Sequence, residues 1–233
     1  MKQLTLEGSV ALVTGANRGL GKAFARALLD AGVAKVYAGA RDVATITDPD
    51  VVPVQLDVTD HAQVAKVAEE LGDVSIIINN AGVSSGLTAV AGEGLEAFRA
   101  EFEVNYFGLV AVARAFAPVV ARNGGGAIVN MLSALSFATF PQTANYSATK
   151  AAGWAYTNGL RQTLAQQGTL VVAVHAGYID TDMAAGVDAP KIAPEDVARQ
   201  VVDALAEGRD EVLADDVSRG AKAGVGAGAA AAA

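Results

Sequence analysis

The stretch Ser9-Val10-Ala11-Leu12-Val13-Thr14-Gly15-Ala16-Asn17-Arg18-Gly19-Leu20-Gly21 decides the fold. Ser9 to Thr14 is an apolar run of strand length that passes without a linker into a turn with glycine at 15, 19 and 21. From Gly19 to Ala31 alanine and leucine then recur at helical period. Glycine permits a tight turn and a close approach to the backbone, and the free N–H groups at the start of a helix face an anion with the helix dipole behind them. Strand, glycine turn and helix in this order form a cradle for a pyrophosphate. The spacing is G-x-x-x-G-x-G, not the G-x-G-x-x-G of the dinucleotide fingerprint, so the weight rests on the strand and helix that flank it.

Outward from this segment the same alternation continues. Lys35 to Gly39, Val51 to Gln55, Val74 to Asn79, Ala127 to Met131 and Leu170 to Val174 read as strands. His61 to Leu71, Leu95 to Ala121 and Tyr146 to Gln167 read as helices. Strands apolar on both faces and separated by helices imply a parallel sheet covered on each side, with right-handed crossovers. The expectation is one doubly wound α/β domain of six or seven strands over residues 1–219, ending in a helix from Pro194 to Glu207 and a weak strand from Glu211 to Ala214. From Gly220 to Ala233 the chain is almost pure glycine and alanine, and it reads as a frayed or partly helical end to which no function is assigned.

Composition narrows the function classes. The 233 residues are 52% hydrophobic and 18% charged, enough apolar surface to offset the entropy of ordering. With no cysteine, a disulfide framework, a thiolate metal site and a cysteine nucleophile are all excluded, and two histidines, His61 and His175, supply too little for most metal sites. A net charge of −8 argues against nucleic acid or an anionic membrane as partner. The first residues hold no signal-peptide core, and the apolar run Gly108 to Ala121 is broken by Arg114, so the expected address is the cytoplasm.

Four further features occur in order: Asn79-Asn80-Ala81-Gly82 after the fourth strand, Asn105 within a helix, Ser133 after the fifth strand, and Tyr146-Ser147-Ala148-Thr149-Lys150. Four residues apart at a helix start, Tyr146 and Lys150 project from one face. A free tyrosine ionises near pH ~10, and an ammonium within ~4 to 6 Å favours the phenolate, which lets a tyrosine exchange a proton with a substrate oxygen near neutrality. His175 at a strand end and Trp154 one turn past Lys150 read as packing residues.

With these motifs the chain resembles the short-chain dehydrogenases/reductases, in their short single-domain subgroup, from Leu6 to about Ala214. The resemblance implies a Rossmann-type fold and a catalytic tetrad of Asn105, Ser133, Tyr146 and Lys150. In that tetrad Ser133 would bind the substrate oxygen and Tyr146 would act as acid or base. Lys150 would depress the Tyr146 pKa and hold the nicotinamide ribose, and Asn105 would hold a relay water. It also implies a cofactor site built from Gly15, Asn17, Arg18, Gly19, Leu20, Gly21, Arg41, Asp57, Val58, Asn79, Ala81 and Gly82, with Gly177, Ile179 and Thr181 on the nicotinamide side. An apolar substrate pocket would draw on Ala134, Leu135, Phe137, Phe140, Tyr178 and Met183. No metal is required. The family's usual Pro-Gly after the sixth strand is Ala176-Gly177 here, which puts the rigidity of that loop in question.

Cofactor choice turns on the end of the second strand. Where family members that use NAD carry an acidic residue, this chain has Ala40, followed by Arg41, and Arg18 stands in the glycine turn; both arginines occupy positions that grip a 2′-phosphate in NADP users. The expected activity is NADP(H)-dependent hydride transfer with a ketone, aldehyde or secondary alcohol, in a homodimer or homotetramer paired through the two long helices. Two other readings stay open: a 3-oxoacyl reductase acting on acyl-carrier protein, against which stand the acidic charge and the uncharged Asn123-Gly124-Gly125-Gly126, and a non-catalytic dinucleotide sensor, a class that typically lacks the tyrosine or lysine present here.

Overall fold

The protein is described by a computed structural model covering residues 4–90 and 94–225. Seven parallel strands form one sheet: β1 (Val10–Thr14), β2 (Lys35–Ala40), β3 (Val52–Gln55), β4 (Ile76–Asn79), β5 (Gly126–Met131), β6 (Thr169–His175) and β7 (Glu211–Leu213), in the spatial order β3-β2-β1-β4-β5-β6-β7. Chain direction reverses its march across the sheet beside β1, which pairs with β2 on one side and β4 on the other. At such a switch point the loops at the carboxyl ends of the two strands diverge and open a crevice.

Side-chain alternation along each strand feeds two cores. Ala11, Val13, Ile76, Ile78, Val172 and Val174 face α1 (Gly19–Asp30) and α6 (Pro194–Glu207), where Phe24, Leu28, Val201 and Leu205 are buried. Leu12, Ile77, Ile128 and Val171 face the opposite layer, made by α2 (His61–Glu70), α4 (Leu109–Arg122) and α5 (Ala144–Leu164), with Val67, Phe116 and Leu160 at its centre. Both faces of the central strands β1, β4, β5 and β6 are therefore dry, the condition under which near-continuous valine and isoleucine runs are stable as parallel strands, while the edge strand β3 is exposed.

The long helix expected from Leu95 to Ala121 departs from a single α-helix. It consists of α3 (Leu95–Phe102), a π-helical turn from Glu103 to Gly108, and α4. The widened turn carries Asn105, and at its end Gly108 lies so close to Val58 that a Cβ there would stand 2.6 Å from the valine methyl. By length and mean hydropathy the run 95–122 could cross a bilayer, a property that Arg114 alone does not remove; here half of it is buried inside the fold, with Phe116 and Val120 fully enclosed.

Past β7 the chain forms a further helix, α7 (Asp216–Ala223), which runs into the start of the glycine- and alanine-rich segment. Asp215 caps α7 by accepting from the Ser218 N–H at 2.8 Å, Ser218 is wholly buried, and Lys222 pairs with Glu211 of β7. The glycine- and alanine-rich segment from Gly220 thus begins inside a helix; residues 226–233 lie outside the described residues.

Candidate active site

The glycine turn sits at the crevice beside β1. Gly15 and Gly19 adopt left-handed φ angles of 65° and 50°, open to glycine at little steric cost. Gly21 is required for another reason: a Cβ there would stand 2.0 Å from the Gly15 carbonyl oxygen and 2.7 Å from the Asn80 amide. Thr14 and Asn80 lock the turn. The Thr14 hydroxyl oxygen accepts from the Asn80 and Ala81 N–H groups, both at 3.0 Å, and Asn80 Nδ2 donates to the Thr14 carbonyl at 3.0 Å. Arg18 provides no side-chain cap to α1, so no side chain competes for the helix start, and the bare backbone cradle fits a dinucleotide pyrophosphate. Leu20 turns its side chain into the core and offers only its backbone, while Asn17 is half-buried at the turn.

Three segments bring the tetrad together: the π-helical turn with Asn105, the end of β5 with Ser133, and α5 with Tyr146 and Lys150. Ser133 follows β5 and caps the short turn Ala134–Ser136, its Oγ accepting from the Leu135 N–H at 3.1 Å. It also faces the Tyr146 phenol, whose pKa it acts to lower. Lys150, buried one turn further along α5, donates to the Met131 carbonyl at 2.9 Å and lies 5.5 Å from the centre of the Tyr146 ring. Gly82 closes the group from the β4 side, where a Cβ would come within 3.3 Å of Asn105 Oδ1 and 3.7 Å of Lys150 Nζ. Asn105 has its side chain fully engaged: Oδ1 accepts from the Val83 N–H at 2.8 Å, and Nδ2 donates to the Val83 carbonyl at 2.8 Å and to Thr149 Oγ1 at 3.1 Å.

The electrostatics correct one expectation. Burial pushes the Tyr146 phenol up to about 12, with Ser133 opposing and the Glu101 charge adding to the rise. Burial pushes Lys150 down to about 8, with Glu101 opposing. The Tyr146 phenol therefore rises where a neighbouring ammonium was expected to lower it, and the Lys150 ammonium donates to the Met131 carbonyl and is itself weakened by desolvation. At neutral pH Tyr146 is a protonated phenol, ready to donate.

At the other end of the crevice Arg41 is exposed after Ala40, and Asp42 is occupied as the cap of a short turn, accepting from the Ala44 N–H at 3.0 Å. Partial burial disfavours the Asp57 carboxylate, but the Thr59 N–H and hydroxyl, with the Arg41 charge, outweigh it and hold its pKa low; buried Val58 follows against Gly108. Arg18 pairs with Asp182 at 3.1 Å. Asn79 spends its side chain inside the sheet, donating to Asn130 Oδ1 at 2.8 Å, so only its backbone borders the crevice.

The loop after β6 is held from behind. Gly177 N–H donates to Asp215 Oδ2 at 2.7 Å, the carboxylate that also caps α7, so the loop is tied to the start of that helix. Ile179 bridges to Ile192, and the Thr181 methyl packs against Gly19. Phe140, Tyr178 and Met183 are exposed, Leu135 is half-buried and Ala134 buried. Phe137 is turned away from the expected pocket: its ring stacks on His175 at 4.3 Å and meets Trp154 edge-on at 4.8 Å. Those two are packing residues, and His175 Nδ1 also holds the Ser133 carbonyl at 2.9 Å.

A family model described as short chain dehydrogenase matches residues 9–191. The chain belongs to the short-chain dehydrogenase family. Among solved members, a short chain dehydrogenase from Burkholderia cenocepacia in complex with NADP is 42% identical and superposes with a TM-score of 0.93 over 98% of this chain and 97% of that one. A gluconate 5-dehydrogenase from the same organism, in complex with NADP and tartrate, is 26% identical with a TM-score of 0.82 over 89% and 93% of the two chains. An uncharacterized oxidoreductase of Staphylococcus saprophyticus is 31% identical over 216 residues, 86% of this chain and 92% of that protein. The short chain dehydrogenase tazN of Aspergillus terreus is 32% identical over 203 residues, 80% of this chain; the match spans only 44% of that longer protein.

As a short-chain dehydrogenase the chain has four functional supports that sequence reasoning passed over. Asn80 holds the glycine turn, Asp182 pairs with Arg18, Asp215 tethers Gly177, and buried Glu101 accepts from Asn145 beside the tyrosine. Glu101 alone left a signal in the sequence. It lies four residues before Asn105, on the inward stripe of an apolar helix where a carboxylate is out of place.

Proposed function

We propose that the protein is an NADP(H)-dependent carbonyl reductase or alcohol dehydrogenase for small organic molecules. The observation that carries this reading is a protonated Tyr146 phenol beside Ser133, with buried Lys150 5.5 Å from the centre of its ring and a glycine cradle close by that admits no side chain. In reduction the substrate oxygen accepts hydrogen bonds from Ser133 and Tyr146, which polarise the carbonyl. When bound, the nicotinamide supplies the hydride. Tyr146 delivers its proton to the developing alkoxide, and Lys150, the cation beneath the ring, steadies the phenolate that remains. Arg18 and Arg41 would hold the 2′-phosphate, and the relative solved with NADP at 42% identity supports that choice.

The substrate side is read as open and apolar. Phe140, Tyr178 and Met183 form an exposed rim, and the stretch from Met183 to Pro194 contributes no α-helix above the site. Bulky ketones are the substrate class that such a rim accepts. Assembly through the helical face that exposes Leu95 and Phe107, next to an open hollow of about 380 Å³, gives a homodimer or homotetramer. NADPH oxidation, followed across aryl ketones, aliphatic aldehydes, diketones and a 3-oxoacyl thioester, tests the reading. Turnover on an aryl ketone supports it; turnover on the thioester alone replaces it with an acyl reductase.

A further inference from the structure

Glu101 is a carboxylate with no part in the tetrad, yet it is 1% exposed and lies beneath it. Burying such a group costs several kcal/mol unless it is hydrogen-bonded, so what it touches is informative. Oε1 accepts from the Ser85 N–H at 2.8 Å, and Oε2 accepts from Asn145 Nδ2 at 2.5 Å. Ser85 lies three residues past Gly82, on the segment leaving β4, and Asn145 immediately precedes Tyr146. One side chain of α3 therefore ties the two walls between which Tyr146 stands. Asn145 is itself buried, and its amide also reaches the Phe98 carbonyl at 3.4 Å.

Charge adds to the tie. Tyr146 and Lys150 are the titratable groups that α5 presents to Glu101. The segment 80–90 carries none, and the neighbours on the helix itself, Glu96, Arg99 and Glu103, are exposed on its outer side. A negative charge at this place favours the proton-bearing form of both catalytic groups, the form needed to give a proton to a carbonyl oxygen.

We infer that Glu101 is a positioning residue for the reaction, tying Ser85 to Asn145 and holding a negative charge under the Tyr146–Lys150 pair so that the site works as a proton donor. This rests on the reductase reading above. The mixed role separates with two variants. Glu101→Gln keeps an acceptor for Ser85 and can bond Asn145 if that amide turns its oxygen inward, but it removes the charge. Glu101→Leu fills the space with an apolar side chain and removes the tie.

The experiment measures kcat and KM against pH for ketone reduction in wild type, Glu101→Gln and Glu101→Leu, together with a measurement that needs no turnover: the pH titration of the Lys150 side chain without cofactor, read by NMR of carbon-13-labelled lysine and assigned with Lys150→Arg. Glu101→Leu should lower kcat by about ten- to a hundredfold with KM for NADPH little changed, as expected when a reacting group is slightly misplaced. Glu101→Gln should recover most of that loss while its alkaline limb and its Lys150 profile both move to lower pH. If Glu101→Leu keeps the wild-type kcat, or if both profiles of Glu101→Gln superpose on wild type, Glu101 is a packing residue and the inference is wrong. A wild-type protein that reduces no carbonyl sinks the reductase reading, and a Lys150 profile that still shifts in Glu101→Gln then upholds the charge under the pair. With no turnover and no shift, both fall.

Discussion

Arg18 of the glycine turn and Asp182 after β6 form an ion pair at 3.1 Å, joining the cradle to the loop that borders the nicotinamide end. Both side chains are largely exposed, so the pair is easily exchanged for a stronger anion. A phosphate offers Arg18 a bidentate partner with more charge than the aspartate. Asp182 thus competes with a 2′-phosphate for the same guanidinium. Asp182→Asn should increase the preference for NADPH over NADH, and Arg18→Ala with Arg41→Ala should remove about tenfold or more of it. Ratios of kcat/KM for the two cofactors decide the matter, and an unchanged ratio in the double variant would show that the arginines do not read the phosphate.

Tyr146→Phe removes the proton donor and leaves the ring in place. Turnover should fall by about a hundredfold or more while NADPH binding, followed by its fluorescence, persists. Because burial keeps the phenol protonated up to about 12, the wild-type reduction rate should show no alkaline loss from this group near neutral pH in the absence of a bound cation.

Asp215→Ala should act at a distance from the chemistry. It frees the Gly177 N–H and uncaps α7 together, at a cost of about 1 to 2 kcal/mol in stability. KM for the cofactor should rise while kcat changes less. Urea melts and steady-state kinetics on one preparation separate the two effects; an unchanged KM would mean that the loop is ordered without its tether.

His175 predicts an acid-side weakness. Burial lowers its pKa to about 4, so between pH 6.5 and 4 the unfolded chain binds a proton that the folded chain refuses, and stability falls as pH falls through that window. From pH 7 to 5 wild type should lose about 2 kcal/mol of unfolding free energy from this group. His175→Gln should flatten that dependence, with a lower stability at pH 7 as the Phe137 ring loses its stacking partner. Equal pH slopes in the two proteins would refute it.

The fold was legible because its signals are local. Valine and isoleucine runs, alanine and leucine at helical period, and a proline opening α6 placed every strand and the principal helices, and Gly15, Gly19 and Gly21 marked the crevice before any contact was known. The tetrad was legible in its spacing, since Tyr146 and Lys150 share a helical face by geometry alone. Other features needed tertiary structure. The π turn at Asn105 is not written in its helical period, and the close approach of Gly108 to Val58 joins segments far apart in the chain. Nothing local announces that Asn80 will clamp Thr14, that Asp215 will hold Gly177, or that Asp182 will meet Arg18. The protonation of the site was decided last of all. Sequence proximity of Tyr146 and Lys150 implied a lowered phenol pKa, whereas burial, the aim of Lys150 toward Met131 and the buried Glu101 charge reverse it. Desolvation belongs to the packed site as a whole, and no pair of residues read along the chain contains it.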